Sequence, residues 1–547
     1  MEEILTKQKG KKIMLLGNDA VVRGALESGV QFVTTYPGTP ASEVGNTFFR
    51  IAEEAGVYFE YSTNEIVALE VAAGASFSGL RTMMAMKNFG VNVASDFLLP
   101  LCYSGVKGEM VILVADDPSC WSSAQTEENT RGFGELAHIP IIEPSTPQEC
   151  KDFTKLAFKL SGQFKLPIIV RETTRLALQS APVELDEIIK GEAKGEFVKD
   201  PHQFSTMPPR VLEMKNELLA KIEELRKISE KSSINKVINK KLLKTLKLGI
   251  ITSGVSYLYV EEALKELDIK LPILKLGFFN PLPEKKIGEF IKDLKEVLIV
   301  EELEPFLERE VERLAKNTNY NLKIIGKELI PITGELRPEH VIQAIAELTK
   351  HKTSFDFKKH LKNFKKVETS KRFPQLCQNC PYWLTFTTVK RSVPKGTIFG
   401  GEIGCYMLAA FPPHEMQDYL FCMGSSVSIA HGIKKASPDQ KIVAFVGDSS
   451  FFHAGIPALI NAVINKSNML VIVMDNSTTA MTGQQPHPGN PSSGKPIEIE
   501  DVVKSLGVKY VKKINPINAK EFEATIKEFL DKDEVSVIVS ERPCIRI

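Results

Sequence analysis

The chain has 547 residues, with 69 lysine and arginine residues against 68 aspartate and glutamate residues, and a formal net charge of +1. At roughly 150 residues per domain, this length predicts three or four domains. The near-zero balance argues against a nucleic-acid binder, which carries a clear basic excess. Apolar runs stay well short of the ~20 residues of a membrane helix and the polar N-terminus lacks a signal core, so we expect a cytoplasmic protein with no membrane contact.

Short apolar runs alternate with helical patterns, which predicts an α/β fold of parallel sheets covered on both faces. We predict three such domains, at residues 1–192, 246–350 and 372–547, separated by linkers at 193–245 and 351–371. The first linker is predicted to be helical over Met214–Ser229 and to present a solvated, lysine-rich face. The strands expected in the three domains are Lys12–Leu16, Phe32–Tyr36, Met110–Ala115, Pro167–Val170, Lys247–Ser253, Ile273–Gly277, Val297–Glu301, Lys441–Val446, Met469–Met474 and Val535–Val539.

Two predicted strands of the third domain end in polar residues. Asp448 follows the first strand, and Asn476 and Thr478 follow the second. Parallel strands end at the same edge of a sheet, so these side chains and a backbone carbonyl near Thr478 are expected to converge. Such oxygen donors suit Mg²⁺, which uses few protein ligands and completes its shell with phosphate oxygens and water. The spacing resembles the signature of thiamine diphosphate (ThDP) enzymes, although an ordinary strand–helix–strand unit with polar caps remains the alternative.

A ThDP site also needs a carboxylic group against the aminopyrimidine ring, so that the ring can act as an internal base. Glu65 begins a predicted helix rich in small residues and is followed by Gly74 and the predicted loop Lys87–Gly90 at the spacing found in many ThDP enzymes. Glu70 is the alternative, but it lacks both spacings. An N-terminal helix carboxylate that merely favours the helix dipole is the structural alternative for Glu65.

Four cysteines of the third domain lie in three segments. Cys377 and Cys380 form a CxxC motif, Cys405 follows Gly404, and Cys544 lies near the C-terminus. Four thiolates can hold a [4Fe–4S] cluster or Zn²⁺, and the sequence also leaves free thiols open.

Several further motifs lie along the chain: Tyr36-Pro-Gly-Thr-Pro-Ala-Ser-Glu43, Ser62-Thr-Asn-Glu65, Gly105-Val-Lys-Gly108, Ala115-Asp-Asp-Pro118, Gly404-Cys-Tyr406, Met423-Gly-Ser425, Gly447-Asp448, Asp475-Asn-Ser-Thr-Thr-Ala-Met-Thr-Gly483 and Gln485-Pro-His-Pro-Gly489. Together they resemble the alpha subunits of indolepyruvate:ferredoxin oxidoreductases, within the 2-oxoacid:ferredoxin oxidoreductase family, over nearly the whole chain. The resemblance implies a pyrimidine-type ThDP domain, a transketolase C-terminal-like domain and a diphosphate-type ThDP domain, in that order. It implies oxidative decarboxylation of an aryl 2-oxoacid with coenzyme A to an acyl-CoA and CO₂, with electrons passing through an iron–sulfur cluster to ferredoxin.

The resemblance also assigns residues. Glu65 would contact the aminopyrimidine, Thr39 would approach the substrate, and His487 would be either a pocket acid or base or a structural residue. Asp448, Asn476 and the Thr478 carbonyl would hold Mg²⁺. Cys377, Cys380, Cys405 and Cys544 would hold the [4Fe–4S] cluster. Further predicted cofactor contacts are Gly404, Cys405, Gly424, Ser425, Gly447, Ser449 and Met481.

Some positions depart from the family pattern. Longer members carry a C-terminal ferredoxin-like domain, whereas this chain ends at Ile547, so we expect electrons to leave through ferredoxin or a separate ferredoxin-like subunit. The two ThDP half-sites lie on different domains, so we expect a homodimer or a heterotetramer with a smaller beta subunit. Expected histidines are replaced at Asn88, Trp121, Tyr382 and Gln484, and Glu402 replaces an aspartate, which leaves the aryl substrate open. A non-oxidative 2-oxoacid decarboxylase and a noncatalytic partner or sensor are the alternative functions.

Overall fold

The computed structural model describes residues 3–191, 194–351, 357–367 and 374–547. The chain separates into two compact units. Unit 1 comprises residues 1–60 and 65–368, and unit 2 comprises residues 61–64 and 369–547. The domain boundary predicted at 192–193 and much of the linker predicted at 351–371 lie outside the described residues, so the bounds of the three predicted domains stay a prediction.

The strands of the described residues form four sheets. In chain order they are β1 (Lys12–Leu16), β2 (Phe32–Thr35), β3 (Tyr58–Tyr61), β4 (Thr82–Lys87), β5 (Met110–Asp116), β6 (Ile141–Ile142), β7 (Ile168–Thr173), β8 (Ser180–Glu184), β9 (Lys236–Ile238), β10 (Leu248–Ser253), β11 (Ile273–Leu276), β12 (Phe278–Asn280), β13 (Glu296–Val300), β14 (Lys323–Ile325), β15 (Ile398–Gly401), β16 (Tyr419–Leu420), β17 (Ile442–Gly447), β18 (Leu470–Asp475), β19 (Tyr510–Ile514) and β20 (Ser536–Glu541).

Helices connect most of these strands. In chain order they are α1 (Gly17–Glu27), α2 (Ser42–Ala55), α3 (Glu65–Phe77), α4 (Asn88–Ser104), α5 (Gly132–Leu136), α6 (Pro147–Phe164), α7 (Thr174–Ala177), α8 (Pro201–Phe204), α9 (Arg210–Lys231), α10 (Ser256–Glu266), α11 (Glu284–Ile291), α12 (Phe306–Thr318), α13 (Pro338–Thr349), α14 (Phe357–Lys366), α15 (Tyr382–Ser392), α16 (Ser425–Ala436), α17 (Asp448–Ser450), α18 (Ile456–Ile464), α19 (Ile499–Ser505) and α20 (Ala519–Leu530).

The largest sheet of unit 1 runs in the order β12, β6, β7, β5, β4, β2, β3. Strands β2, β4, β5, β7 and β6 run parallel to one another, and β12 pairs antiparallel with β6. All seven residues of β5 are buried, as expected of a central strand covered on both faces. The carboxyl ends of β2, β4, β5 and β7 share one edge, where ligands of such sheets bind. We call this the unit 1 edge; it comprises Tyr36–Thr39, Lys87–Gly90, Asp116–Asp117 and Thr173–Thr174.

Strand β1 was expected within the first parallel sheet, but it pairs antiparallel with β8 in a separate two-stranded sheet. Its residues alternate between exposed and buried, which is the pattern of a strand with one solvated face rather than of a central parallel strand.

The second sheet of unit 1 runs in the order β14, β13, β10, β11, β9. Strand β9 pairs antiparallel with β11, so residues 236–238 of the predicted helical linker belong to this sheet instead. Helix α9 is present as predicted, but it buries Met214, Leu218, Ile222 and Leu225 along one face. This apolar face joins the same hydrophobic core as both large sheets, which explains why the linker is part of the compact unit.

Unit 2 contains one parallel sheet in the order β16, β15, β17, β18, β20, β19. Alternate residues of β17 enter different apolar layers, with Val443 and Phe445 in one layer and Ala444 and Val446 in the other. The sheet is therefore covered on both faces, as its nearly continuous apolar strands predict. The carboxyl ends of β17 and β18 form what we call the unit 2 edge, comprising residues 447–450 and 475–478.

These sheets confirm the predicted α/β fold class with mainly parallel strands. The transketolase-like assignment of the middle segment stays a prediction. Among the described residues, no helix combines the length and apolar character needed to cross a membrane.

Candidate active site

Glu65 is the first residue of α3 and lies on the side facing the unit 1 edge. Its side chain is 6% exposed, and its Cγ lies 2.7 Å from the position that a Cβ atom would take at Gly90. Only glycine leaves room for Glu65 there, which gives the presence of glycine at position 90 a steric reason. Glu70, the alternative carboxylate, is exposed, and Gly74 has open space at its Cβ position.

The turn that carries Thr39 lies at the same edge. Thr39 is half-buried and its Oγ1 lies 3.3 Å from Ser42 Oγ. The neighbouring Gly38 packs directly on the stem of Lys87, whose Cγ and Cδ lie 2.8 Å from the position of a Cβ at Gly38. The unit 1 edge therefore brings the Thr39 turn, Glu65 and Lys87 together.

Lys87 was not singled out from the sequence as a site residue. The segment Lys87–Gly90 was expected to be a loop, but β4 ends at Lys87 and α4 begins directly at Asn88. Lys87 is the N-cap residue of α4, and its side chain makes no capping hydrogen bond. Burial lowers the pKa of Lys87 to about 8, against the opposing effect of Asp117 and Glu65. A lysine at the end of a strand, immediately before a helix, was the sequence signal that could have identified it.

Asp448 joins the ends of β17 and β18 at the unit 2 edge. It is buried, and its Oδ1 accepts a hydrogen bond from Ser449 N at 2.8 Å while its Oδ2 accepts one from Asn476 N at 3.1 Å. Asn476 is also buried, and its Oδ1 accepts from Thr478 N at 3.2 Å. The structure thus brings together the strand ends that the sequence predicted would converge.

His487 lies beside this carboxylate. Its Nδ1 accepts a hydrogen bond from Gly489 N at 3.0 Å, and its buried Nε2 lies 3.2 Å from Asp448 Oδ2. The Nε2 atom has no hydrogen-bond partner of acceptable geometry among the described residues. Asp475, which the sequence analysis did not select as a site residue, contributes a second acid; burial and the charge of Asp448 raise its pKa to about 7.

Glu402 connects three glycine-containing segments near the unit 2 edge. It is fully buried and accepts hydrogen bonds from Tyr406 Oη at 2.5 Å, from Gly447 N at 3.3 Å and from Gly424 N. Burial raises its pKa to about 7. Gly424 has a φ of +79°, a conformation that favours glycine. A Cβ at Gly447 would lie 2.6 Å from the Tyr406 ring, so glycine is required there as well.

The remaining predicted contacts surround this arrangement. Ser425 Oγ donates to Cys422 O at 2.5 Å, and Ser449 Oγ accepts from Thr479 Oγ1 at 3.0 Å. Gly404 packs on the Tyr406 ring, whereas Met481 is largely exposed.

The four cysteines predicted as ligands lie within electrostatic range of one another in unit 2. Burial, together with the nearby thiols of Cys380, Cys544 and Cys377, raises the pKa of Cys405 to about 12. Burial likewise raises the pKa of Cys380 to about 11. Cys544 N donates to Asn476 O at 2.9 Å, which fixes the C-terminal segment beside the unit 2 edge. Within the described ranges, however, no three His, Cys, Asp or Glu side chains lie close enough together to hold a metal ion.

Comparison with known families matches two segments of the chain to ThDP-binding models, which include part of the unit 1 edge and the whole unit 2 edge. Residues 23–95 match the model described as pyruvate flavodoxin/ferredoxin oxidoreductase, thiamine diphosphate-binding, and residues 402–540 match the C-terminal TPP-binding domain of thiamine pyrophosphate enzymes. The first segment contains Thr39, Glu65 and Lys87, and the second contains Glu402, Asp448 and Asn476.

A solved structure shares part of the fold. The 2-oxoglutarate:ferredoxin oxidoreductase of Magnetococcus marinus, described with 2-oxoglutarate, coenzyme A and succinyl-CoA bound, aligns with a TM-score of 0.50 and 18% identity. The match covers 61% of this chain and 65% of that chain, slightly less than two thirds of its length.

Two curated relatives match over essentially the whole chain. The indolepyruvate oxidoreductase subunit IorA of Methanothermobacter marburgensis is 42% identical, and the alignment covers 100% of this chain and 89% of that protein. The subunit of the same name from Pyrococcus horikoshii is 41% identical, with 99% of this chain and 87% of that protein covered. The resemblance drawn from the sequence motifs is confirmed, and this chain belongs to the family of indolepyruvate oxidoreductase IorA subunits.

Proposed function

We propose that this chain is the ThDP-binding subunit of a 2-oxoacid:ferredoxin oxidoreductase. The reaction would convert an aryl pyruvate such as indolepyruvate, with coenzyme A, to an acyl-CoA and CO₂, and electrons would pass through a [4Fe–4S] cluster to ferredoxin. The observation that carries the proposal is the buried Asp448 carboxylate, which holds the ends of two parallel strands together beside Asn476.

The donors at the unit 2 edge fit Mg²⁺ and a diphosphate. Asp448 accepts two backbone hydrogen bonds but retains lone pairs for a cation. Asp475 and Asp448 repel each other, so a divalent cation would relieve an existing electrostatic cost. Asp448, Asn476 and the Thr478 carbonyl would hold Mg²⁺, and the glycine segments organised by Glu402 would hold the cofactor through Gly404, Gly424, Ser425, Gly447 and Ser449. The exposed Met481 and the Cys405 segment complete the proposed contacts.

Four cysteine thiolates can bind either a [4Fe–4S] cluster or Zn²⁺. The proposed redox reaction needs an electron acceptor, which a cluster supplies and Zn²⁺ does not. Cys380, Cys544 and Cys377 all lie close enough to Cys405 to raise its pKa, which supports four thiols around one site. We therefore propose Cys377, Cys380, Cys405 and Cys544 as the cluster ligands.

When bound, ThDP supplies the electron sink that allows CO₂ to leave. Glu65 would hold a proton against the aminopyrimidine nitrogen, because its side chain is buried and fixed against Gly90. Thr39 would position the substrate. His487 Nε2, which has no hydrogen-bond partner of acceptable geometry in the described ranges, would donate or accept a proton. The relatives are named as subunits, and we propose a smaller beta subunit in a heterotetramer, or a homodimer, with ferredoxin or a ferredoxin-like subunit as the electron acceptor.

An anaerobic panel of 2-oxoacids with coenzyme A and a viologen dye tests the reaction. Dye reduction together with CO₂ release is the expected result, with aryl pyruvates the best substrates. Release of CO₂ without dye reduction would show a non-oxidative decarboxylase, and the absence of both would show a noncatalytic protein.

The role of Glu65 is tested by Glu65→Gln. We expect turnover to fall by roughly 10²–10⁴-fold, the usual contribution of a positioned acid–base group, while ThDP still binds. Glu70→Gln on the same helix is the matched control because Glu70 is exposed, and it should keep full turnover. Intact turnover in Glu65→Gln would refute the assignment.

A further inference from the structure

Lys87 carries a positive charge at the N-terminus of a helix, where the backbone already favours binding of an anion. It is the N-cap residue of the 17-residue helix α4, at the carboxyl end of β4. The N-terminus of a helix attracts negative groups through its free N–H groups and its dipole. The Lys87 stem crosses Gly38 of the Thr39 turn, and its ammonium lies 4.8 Å from the centre of the Phe89 ring.

The ammonium has unused capacity for a carboxylate. Lys87 Nζ donates to Ser123 Oγ at 2.6 Å and approaches Ser122 O at 3.5 Å, and neither acceptor is charged. The nearby Asp117 is already occupied, since it accepts from Ser122 N, Ser123 Oγ and Thr174 Oγ1. An ammonium group has three donors, so its strongest available partner would be an incoming anion.

A second observation marks the same place. Asn88, the first residue of α4, is fully buried, and both its Nδ2 and its Oδ1 have no hydrogen-bond partner among the described residues. An unpaired buried amide is costly and is rarely retained without a ligand, a water molecule or a functional reason. Asn88 directly follows Lys87 in the chain, so this unpaired amide lies at the start of α4 beside the lysine.

We propose that Lys87 binds the carboxylate of the 2-oxoacid substrate at the N-terminus of α4. The inference rests on the proposed function and adds to it the residue that selects an α-carboxylate. Glu65 lies against the same first turn of α4, so the substrate's carboxylate and the proposed aminopyrimidine contact would be held at neighbouring points of the unit 1 edge.

Lys87→Met tests the proposal, because methionine keeps the length of the stem and removes the charge. With the full chain in its native complex, the KM for the 2-oxoacid should rise by about thirtyfold, while kcat and the affinity for ThDP change little. The matched control is Lys221→Met on α9. Lys221 is half-buried with its pKa lowered by burial, but its Nζ lies near Gly105, beyond the opposite end of α4.

Lys87→Arg supplies a second readout. In the wild type, kcat/KM for the 2-oxoacid should fall as pH rises through about 8, because the free enzyme loses the charge on Lys87. Asp117, Glu65, Cys120 and Glu128 face this ammonium and oppose its deprotonation. Arginine stays charged, so Lys87→Arg should retain binding and lose this alkaline fall.

The outcomes separate the two proposals. If the wild type turns over 2-oxoacids but Lys87→Met leaves their KM unchanged, raises the KM for coenzyme A instead, or weakens ThDP binding by the same factor, the inference is wrong. Should Lys87→Met fail to fold, the pH profile of Lys87→Arg decides, and an unchanged alkaline fall refutes the inference. If the wild type turns over no 2-oxoacid, the proposed function fails, and the inference fails with it.

Discussion

The unit 1 edge and the unit 2 edge both lie at the carboxyl ends of parallel strands, but they differ in charge. At the unit 1 edge, Lys87 lies among acids whose own hydrogen bonds are largely satisfied within the unit. Acids are concentrated near the unit 2 edge: Asp448 lies close to Asp475 and to the Cys405 thiol, and burial raises the pKa of Asp475 and of Glu402 to about 7.

This difference indicates what each edge is suited to bind. Near the unit 2 edge, Asp475, Glu402 and the Cys405 thiol have raised pKa values because burial disfavours their charged forms. A bound cation would stabilise those charged forms. Lys87 lies at a helix N-terminus and has no hydrogen bond to a carboxylate within the described part of the chain, so its charge favours binding of an anion. One edge therefore suits Mg²⁺ with a diphosphate, and the other suits the carboxylate of a substrate. The predictions below test this division.

The largest effect is expected for Asp448→Asn. The amide keeps one acceptor oxygen, so either the hydrogen bond from Ser449 N or the one from Asn476 N is lost, and the negative charge of the proposed ligand is lost as well. We expect the Mg²⁺-dependent affinity for ThDP to fall by about a hundredfold or more, with turnover lost in parallel. Titration of ThDP in the presence of Mg²⁺ measures this affinity.

The control is Asp533→Asn, an exposed aspartate of the same unit, which should bind ThDP normally. If Asp448→Asn keeps wild-type affinity, the cation does not bind at the unit 2 edge.

The next effect concerns electron transfer. Cys544→Ser should lower the iron content from the roughly four irons per chain of a [4Fe–4S] protein and abolish dye reduction. ThDP binding should persist, because the backbone N–H of residue 544 still donates to Asn476 O. Iron analysis and dye reduction are measured on anaerobically purified protein. Cys422→Ser removes an exposed thiol of the same unit; equal iron loss in both variants would contradict the ligand assignment.

The sequence predicted the unit 2 edge more completely than the unit 1 edge. Convergence of Asp448 and Asn476 follows from the rule that parallel strands end at one edge, so two strand ends were sufficient. The sequence spacing singled out Glu65 and Gly90, but their contact was found only in the structure. Lys87 was missed because its importance arises from contacts with Gly38, Phe89 and Ser123, which lie far apart in sequence or on separate elements.

Two parts of the fold were also beyond sequence patterns. The short strand β9 has only three residues, and its place in a sheet depends on pairing with β11 rather than on its own composition. Strand β1 was located correctly, but its partner β8 could not be deduced from periodicity. That Glu402 links three segments could be recognised only from its hydrogen bonds with Gly424 and Gly447 in the structure.

The smallest effects are expected when two buried acids, one near each edge, are replaced by glutamine. Glu402→Gln leaves one acceptor oxygen for the three donors at that site, so the segments around Gly424 and Gly447 should lose part of their fixed geometry. We expect ThDP affinity to fall by about tenfold, in keeping with one buried donor left unpaired. Glu415→Gln, at an exposed position nearby, is the control in the same titration.

Glu172 at the end of β7 is the comparison in unit 1. It is buried, and burial raises its pKa to about 8. Between its unfolded value near 4.5 and about 8, the folded state binds the proton more tightly than the unfolded state, so stability falls as pH rises through this window. Glutamine does not titrate, so Glu172→Gln should lack the pH-dependent loss of folding stability that Glu172 contributes, on the order of a few kcal/mol. Thermal midpoints measured at about pH 5 and about pH 8.5 test this linkage; an equal fall in the variant and the wild type would show that Glu172 ionises normally in the folded chain.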